Sequence, residues 1–233
     1  MKQQSKPSHE SKILLWDIEA TGLVADFATI LCIGWKLLGE KEVHLLTIDS
    51  YKEFEKDKTN DKPLIKDFLK VYNSADVQVT YNGTRYDVPM ILSKTLEHGL
   101  EVPPNVPACD LYFTVKHNLK LSRKSLQNVG YYLKLSDEKT PVEGKIWRKA
   151  ATGDKKSLQY IYTHCKQDVL VLEDLYLKIR PLIRRHPRVG EVRECSACGS
   201  SRLHRRGRAL STTAKTDRYR YQCQDCSSWS TRP

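Results

Sequence analysis

The sequence predicts an α/β protein in which helices flank a mixed β-sheet, followed by a small C-terminal module rich in cysteine. Two observations predict this architecture. Strand-like segments come first, alternating helices and strands follow, and a long helical segment closes the main part of the chain, an order typical of helices packed on a mixed sheet. Beyond it, four of the seven cysteines form two C-x-x-C motifs, which favour a metal-bound module over a disulfide framework.

The first three strands are predicted from short apolar runs separated by turn residues. These runs cover residues 12–18, 28–38 and 42–48, and their pattern predicts strands joined by hairpins. The charged stretch Tyr51–Lys62 that follows predicts a solvated loop.

The middle of the chain alternates helices with strands. Pro63 stands where a proline favours the first turn of a helix, and apolar residues follow at helical spacing. The segment VQVTYN predicts a fourth strand, and a second helix is predicted from Asp87 to about Leu100. The proline-rich connector that ends at Asp110 predicts a short fifth strand.

Helices dominate the last part of the main domain. Helices are predicted over 111–119 and 125–133, a long polar loop over 139–154, and a long helix over 156–184 that weakens at Pro181. The predicted domains are a disordered tail over 1–11, the main domain over 12–186 and the cysteine module over 187–233.

Composition and charge limit the class of protein. No apolar run approaches the roughly 18 residues that a membrane-spanning helix needs, and the polar N-terminus lacks the apolar core of a signal peptide. We therefore expect a cytoplasmic protein with no membrane partner. Residues 181–233 hold 12 Lys and Arg against 4 Asp and Glu, a net charge of +8. This concentration of charge favours binding to a polyanion, although a merely soluble basic tail is the alternative.

Four acids occupy positions from which they could converge on divalent metals, although an acid pair at a strand end, taken alone, is more often part of a solvated turn. Asp17 and Glu19 end an apolar strand two residues apart, so both side chains lie on one face of the sheet. Asp87 follows a strand at the start of a helix, where helix capping is the alternative role. Asp168 lies on the long last helix, one turn after His164. Converging carboxylates of this kind can hold two divalent ions.

These residues and their order resemble the DEDD 3′-to-5′ exonucleases, a superfamily with the ribonuclease H-like fold. The resemblance covers about residues 12–180 and is carried by the motifs LLWDIEATG, TYNGTRYD and YTHCKQDVLVLEDLY. It implies a ribonuclease H-like mixed sheet and a two-metal-ion nuclease. It also implies two Mg²⁺ or Mn²⁺ ions, with Asp17, Glu19, Asp87 and Asp168 as the metal ligands.

One residue departs from the family pattern. The family places a Tyr four residues, or a His five residues, before its final Asp, whereas His164 stands four residues before Asp168. We assign His164 to orienting or deprotonating the attacking water, because imidazole titrates near neutral pH. A histidine that merely packs on the sheet is the alternative, and Tyr160 is then the substitute.

Two further polar residues have local interpretations. Asp110 is predicted to cap the helix from Leu111, with a supporting role at the site left open by its position near the end of the sheet. Asn82 is predicted to brace the turn before Asp87 or to contact the terminal nucleotide of a substrate.

The C-terminal module is predicted to be a zinc ribbon. Cys195, Cys198, Cys223 and Cys226 form two knuckles 24 residues apart, a spacing that fits one structural Zn²⁺ and an extended hairpin. An iron–sulfur cluster is the alternative metal group. Arginines interleaved with aromatic residues predict a nucleic-acid contact, the residues being Arg205, Arg206, Arg208, Arg218 and Arg220. Docking of a protein partner is the alternative function of this module.

The function predicted from these patterns is 3′-to-5′ exonucleolytic hydrolysis of single-stranded nucleic acid, with DNA favoured over RNA. Two other functions remain open at this point. One is a structure-selective endonuclease on the same fold, and the other is an inactive nucleic-acid-binding or assembly protein. Retention of all four acids argues against the inactive protein.

Overall fold

The structure, a computed structural model, describes residues 11–135, 142–191, 193–209 and 218–232. The predicted disordered tail therefore lies outside the described residues except for Ser11. Within the described ranges, no helix has both the length and the apolar character needed to cross a membrane.

The main sheet has five strands in the order β3-β2-β1-β4-β5. Strands β1 (Ile13–Ala20), β2 (Ile30–Leu37) and β3 (His44–Thr47) form antiparallel pairs. Strands β4 (Val77–Thr80) and β5 (Ala108–Asp110) continue the sheet parallel to β1. The predicted fold class, a mixed sheet flanked by helices, is confirmed.

Seven helices are present in the described residues, and most follow the sequence patterns closely. They are α1 (Glu53–Lys56), α2 (Lys62–Asn73), α3 (Asp87–Glu97), α4 (Leu111–Asn118), α5 (Leu126–Leu133), α6 (Gly144–Ala151) and α7 (Lys155–Ile179). A short 3₁₀ turn, Arg180–Leu182, follows α7 directly, as the proline at position 181 predicts.

Two loop predictions are wrong. The segment over 51–62 contains α1, because the side chain of Phe54 is buried and anchors one helical turn in the core. The polar segment over 139–154 contains α6, whose Ala150 is fully buried and whose Ile146 and Trp147 pack against the core. Tertiary packing of these few apolar side chains outweighs the polar composition on which the loop predictions rested. Residues 136–141 lie outside the described ranges.

The sheet buries both of its faces. On β1, Leu14 and Trp16 join the core formed with α2, where the Trp16 and Phe68 rings lie 4.9 Å apart between centroids. The alternate residues Ile13 and Leu15 join the core formed with the second half of α7. Because side chains alternate along a strand, the acids at positions 17 and 19 belong to the face that α7 covers.

Gly34 on β2 permits the close approach of α7 to the sheet. It lies directly opposite Asp17 in the β1–β2 register. A Cβ atom at this position would lie 3.0 Å from Sγ of Cys165 and 3.1 Å from Cγ2 of Val169. The Cys165 thiol in turn lies 3.6 Å from the carbonyl oxygen of Asp17, to which it donates. A strand residue without a side chain therefore sets the distance between α7 and the acids of β1.

We expect Gly34→Ala to displace α7 and to lower the free energy of unfolding by about 1–3 kcal/mol, the usual cost of overpacking. Chemical denaturation measures this loss. The matched control is Gly130→Ala on α5, where the added Cβ would lie 3.4 Å from Val171 and alanine favours the helix by about 1 kcal/mol. Equal stability changes for the two variants would contradict the role given to Gly34.

The C-terminal residues form a second, separate sheet of antiparallel strands in the order β6-β7-β8. We call β6 (Leu203–Ala209), β7 (Arg218–Cys223) and β8 (Trp229–Arg232) the C-terminal sheet. The Ser228 hydroxyl donates to the carbonyl of Arg180 over 3.3 Å, which ties this sheet to the end of α7. The predicted hairpin between the two cysteine knuckles is present, and β8 adds a third strand that the sequence pattern did not predict.

Candidate active site

Strand β1 supplies the first two acids of the site. Asp17 and Glu19 lie two residues apart near its carboxyl end, and a register shift follows between Glu19 and Ala20. The turn beyond it is closed by the Thr21 amide, which donates to the Thr29 carbonyl over 3.0 Å. Both acids are partly exposed rather than buried, so they can reach a ligand beside the sheet.

Helix α3 brings Asp87 to the same strand. Asp87 is the first residue of α3 and only 4% of its surface is exposed. Its Oδ1 atom accepts a hydrogen bond of 3.2 Å from the backbone N–H of Ile18, the residue between the two β1 acids. This bond holds the Asp87 carboxylate against β1, whereas the capping position of α3 is occupied by Tyr86.

Helix α7 supplies the last two residues. Nε2 of His164 lies 3.8 Å from a carboxylate oxygen of Glu19 and 3.9 Å from one of Asp168. One potential ligand atom from each of these three side chains lies within 4.8 Å of the others. The histidine therefore faces the acids.

Tyr86, which the sequence patterns did not single out, also lies at this site. Its hydroxyl donates to the carbonyl of Gly22 over 3.0 Å and so fixes the turn after β1. Burial raises the pKa of this hydroxyl, and the nearby carboxylates of Asp87, Glu19 and Asp17 raise it further. Tyr86 is thus surrounded by the same acids and connects the start of α3 to the β1 turn.

The electrostatics of the acids fit a bound cation. Burial raises the pKa of the Asp87 carboxyl to about 7, the hydrogen bond from Ile18 opposes this rise, and the charges of Asp110 and Asp168 add to it. Clustered carboxylates repel one another unless a positive charge is shared among them. Carboxylate oxygens form a donor set suited to Mg²⁺ or Mn²⁺, so the acids present fit the implied ions.

Asp110, at the end of β5, holds the turn that leads to Asp87. Its side chain caps α4, as predicted, by accepting from the Tyr112 amide over 3.0 Å. The same carboxylate accepts hydrogen bonds from the backbone amide of Asn82 at 2.7 Å, the backbone amide of Thr84 at 3.1 Å and the Thr84 hydroxyl at 2.6 Å. One carboxylate therefore joins the start of α4 to the turn that follows β4.

Asn82 and Gly83 give this turn its shape. Asn82 has a positive φ of 64°, a conformation that Asn tolerates better than most residues. At Gly83 a Cβ atom would lie 2.5 Å from Cβ of Thr80, which no side chain can occupy. Asn82 therefore adopts a left-handed backbone conformation in this turn, and Asp110 holds its backbone amide.

We expect Asp110→Ala to lower the free energy of unfolding by about 2 kcal/mol, because it removes a helix cap and a turn brace together. The variant should also bind Mn²⁺ more weakly, since Asp87 follows the loosened turn. Denaturation curves and titration calorimetry measure the two effects. The matched control is Asp154→Ala, which removes the cap of α7, where the Asp154 side chain accepts from the Ser157 amide. Weaker Mn²⁺ binding in the control as well would argue against a specific brace.

The four cysteines of the C-terminal residues converge on one point. Sγ of Cys195 lies 3.6 Å from that of Cys226, Sγ of Cys198 lies 3.7 Å from that of Cys223, and all four lie within 4.8 Å of one another. Tetrahedral zinc with Zn–S bonds of about 2.3 Å requires sulfur atoms about 3.8 Å apart. The spacing therefore fits one zinc ion. The hydrogen bond from the Cys195 thiol lowers the pKa of the Cys226 thiol to about 4.

The arginines predicted to contact nucleic acid lie on the C-terminal sheet. Arg218 and Arg220 are exposed on β7. Arg206 on β6 donates to the side chain of Gln222 on β7 over 3.1 Å. The guanidinium of Arg205 lies 3.3 Å from the Tyr219 ring centroid. Arg208 is exposed on β6. With Trp229, which is 45% exposed, they give this sheet a cationic surface with an accessible aromatic ring.

Residues 14–180 match the family model of the RNase_H superfamily. The chain belongs to this superfamily. Its β1 acids, Asp87 and α7 all lie within the matched residues, whereas the cysteine quartet lies outside them. Membership supports nuclease activity in general, and nucleases with this fold use divalent metals.

A solved structure shows the same fold in a larger protein. The family B DNA polymerase from the hyperthermophilic archaeon Pyrobaculum calidifontis matches with a TM-score of 0.60 and 18% sequence identity. The match covers 73% of this chain but 25% of the polymerase chain, so the chain corresponds to one part of that protein. A search of curated protein sequences gave no match.

Proposed function

We propose that this protein is a metal-dependent 3′-to-5′ exonuclease that hydrolyses single-stranded nucleic acid with two Mg²⁺ or Mn²⁺ ions. The observation that carries the proposal is the convergence of acids from β1, α3 and α7 on one side of the sheet, with His164 within 4 Å of two of them. Membership in the RNase_H superfamily and the resemblance to the DEDD exonucleases support the same chemistry.

The acids divide the work of holding the ions. Two ions in such a site stabilise the attacking and the leaving oxygen of the phosphodiester. Asp17 and Glu19 would hold them from the strand, Asp168 from α7, and Asp87 from the start of α3. The hydrogen bond from the Ile18 amide keeps the Asp87 carboxylate oriented toward the β1 acids, which lowers the cost of assembling the site when the ions bind.

His164 has the role of orienting the attacking water and accepting its proton. A neutral imidazole can accept a proton near physiological pH, and Nε2 of His164 points between Glu19 and Asp168. Tyr160, the substitute named from the sequence, stands one further turn back along α7. We therefore assign the role of orienting the attacking water to His164.

The C-terminal sheet is proposed to be a zinc ribbon that binds the same substrate. Its exposed arginines supply charge for phosphates and Trp229 supplies a ring for a base. Single-stranded DNA is the preferred substrate because the structural relative is a DNA polymerase by name. Docking of a protein partner is the competing function of this surface.

The proposal is tested with single-stranded DNA and RNA labelled at either the 3′ or the 5′ end, incubated with Mg²⁺ or Mn²⁺. The expected result is early release of the 3′ label as a mononucleotide, lost in Asp17→Ala. A circular single strand separates the competing endonuclease from the exonuclease, because only an endonuclease opens it. Absence of cleavage with either metal would leave a binding or assembly protein as the function.

A further inference from the structure

A groove with a volume of 590 Å³ lies at the free edge of the main sheet. The edge strand β5 forms one side, α4 another, and the segment after the 3₁₀ turn a third. We call it the β5 groove and define it by the lining residues Thr84, Asp110, Phe113, His117, Arg184 and Arg185. None of these residues belongs to the proposed metal site or to the C-terminal sheet.

We propose that the β5 groove binds a single strand of nucleic acid, with its phosphates on Arg184 and Arg185 and a base against Phe113. The inference rests on the proposed function, because it names where the substrate strand lies beyond the metal site. It assigns substrate binding to residues outside the basic surface of the C-terminal sheet.

The charge of the groove is the first observation that favours a nucleic-acid strand. Arg184, Arg185 and His117 are exposed along it. Asp110 is the one acid among the described residues that line the groove, and its carboxylate already accepts four hydrogen bonds from the protein. These bonds turn its oxygens toward the protein, and its single negative charge is outnumbered by the charges of Arg184 and Arg185, so the groove carries a net positive charge. Phosphates of a nucleic-acid strand complement such a surface.

The aromatic ring in the groove carries the second step. Phe113 is half-buried, and the guanidinium of Arg85 lies 5.3 Å from its ring centroid. The ring of His117 lies 6.5 Å away between centroids. An aromatic ring beside arginine side chains is a combination with which proteins bind single strands without reading their sequence.

The position of the groove carries the third step. Thr84 lines the groove, donates hydrogen bonds to the Asp110 carboxylate, and stands three residues before Asp87. At the other side, Arg184 and Arg185 begin the segment that leads from α7 to the C-terminal sheet. A strand in this groove would therefore lie between the turn of the metal site and the start of the cysteine module.

A peptide added to the free edge of β5 is the competing occupant. Strand β5 has three residues and so offers few backbone groups for pairing, which is how short edge strands avoid such additions. The two exposed arginines along the groove, Arg184 and Arg185, have no part in backbone pairing. Both observations favour the nucleic acid.

The test measures binding of a fluorescein-labelled oligothymidylate by fluorescence anisotropy, without added divalent metal so that the strand stays intact. We expect the double variant Arg184→Glu/Arg185→Glu to weaken binding at least about tenfold. The slope of the logarithm of the binding constant against the logarithm of salt concentration should fall by the amount that about two phosphate contacts contribute. The matched control is Lys52→Glu/Lys56→Glu, which removes the same charge from exposed residues beyond β3, at the opposite edge of the sheet.

A second measurement locates the base. An oligonucleotide carrying 5-iodouracil should form a photochemical cross-link to Phe113 in the wild-type chain, and Phe113→Ala should weaken binding by about tenfold. In the cleavage assay, Arg184→Glu/Arg185→Glu should raise KM for long strands, whereas the control Lys52→Glu/Lys56→Glu should leave KM unchanged.

Equal weakening in the two charge-reversal variants would overturn the inference, because net charge alone would then explain it. Binding that is unaffected by Arg184→Glu/Arg185→Glu would also overturn the inference and would favour a peptide as the occupant of the groove. Since anisotropy requires no cleavage, failure of the proposed nuclease activity is distinguished from failure of this inference.

Discussion

Asp168→Asn should lower metal-dependent hydrolysis by at least about 1000-fold. Asp168 is buried on α7 within 3.9 Å of His164, and an amide at this position keeps its shape but loses the negative charge that holds a divalent ion. Loss of several kcal/mol of transition-state stabilisation corresponds to this factor, because about 1.4 kcal/mol changes a rate tenfold. Steady-state cleavage of a labelled single strand measures the rate.

A binding measurement and a stability measurement separate a lost ligand from a damaged fold. Titration with Mn²⁺ should show weaker binding in Asp168→Asn. Without metal, its thermal stability should hold or rise, since the charge of Asp168 acts unfavourably on the buried Asp87 carboxyl. Asp174→Asn on the same helix serves as the control and should retain activity. Full activity of Asp168→Asn would remove this residue from the proposed metal ligands.

Removal of zinc should unfold the C-terminal sheet and leave the main sheet intact. Few apolar side chains support this sheet, its buried cluster in the described residues being Cys195, Ala197 and Cys223. Structural zinc supplies about 10–16 kcal/mol to folding in small modules of this kind. We expect Cys223→Ser, or treatment with a chelator, to abolish hydrogen-exchange protection over β6–β8 while protection of β1 and β4 persists.

Metal content decides which ion the cysteines hold. The wild-type chain should contain one zinc per chain by atomic absorption, and Cys223→Ser should contain none. Cys109→Ala, which removes a buried cysteine of β5 outside the quartet, should keep its zinc. Visible absorption and iron in the purified chain would establish the iron–sulfur alternative, and a C-terminal sheet that survives the chelator would contradict a structural metal.

Much of the site follows from local spacing. Asp17 and Glu19 share one face because a strand alternates its side chains, and His164 and Asp168 share one face because a helix turns every 3.6 residues. Both relations depend on a few neighbouring residues, so the printed sequence is enough to predict them. The paired cysteine knuckles were predictable for the same reason.

Contacts between distant segments were not predictable in this way. Asp87 bonds to Ile18, 69 residues earlier in the chain, and Asp110 holds a turn 28 residues before it. Gly34 offered a signal, since glycine inside a strand pattern often marks close backbone approach, but not which helix approaches. Tyr86 offered none, because nothing in its neighbours distinguishes it from a core tyrosine.

The sequence by itself determined the order of the main-sheet strands and of helices α2, α3, α4, α5 and α7, the spacing of the candidate acids and the cysteine quartet, because each depends on periodicity or on paired residues within a short window. The tertiary structure decided that α6 forms where polar composition predicted a loop, that His164 faces the acids, and that a cationic groove opens beside β5. These features arise from packing between segments far apart in the chain, where burial and close approach outweigh local preference.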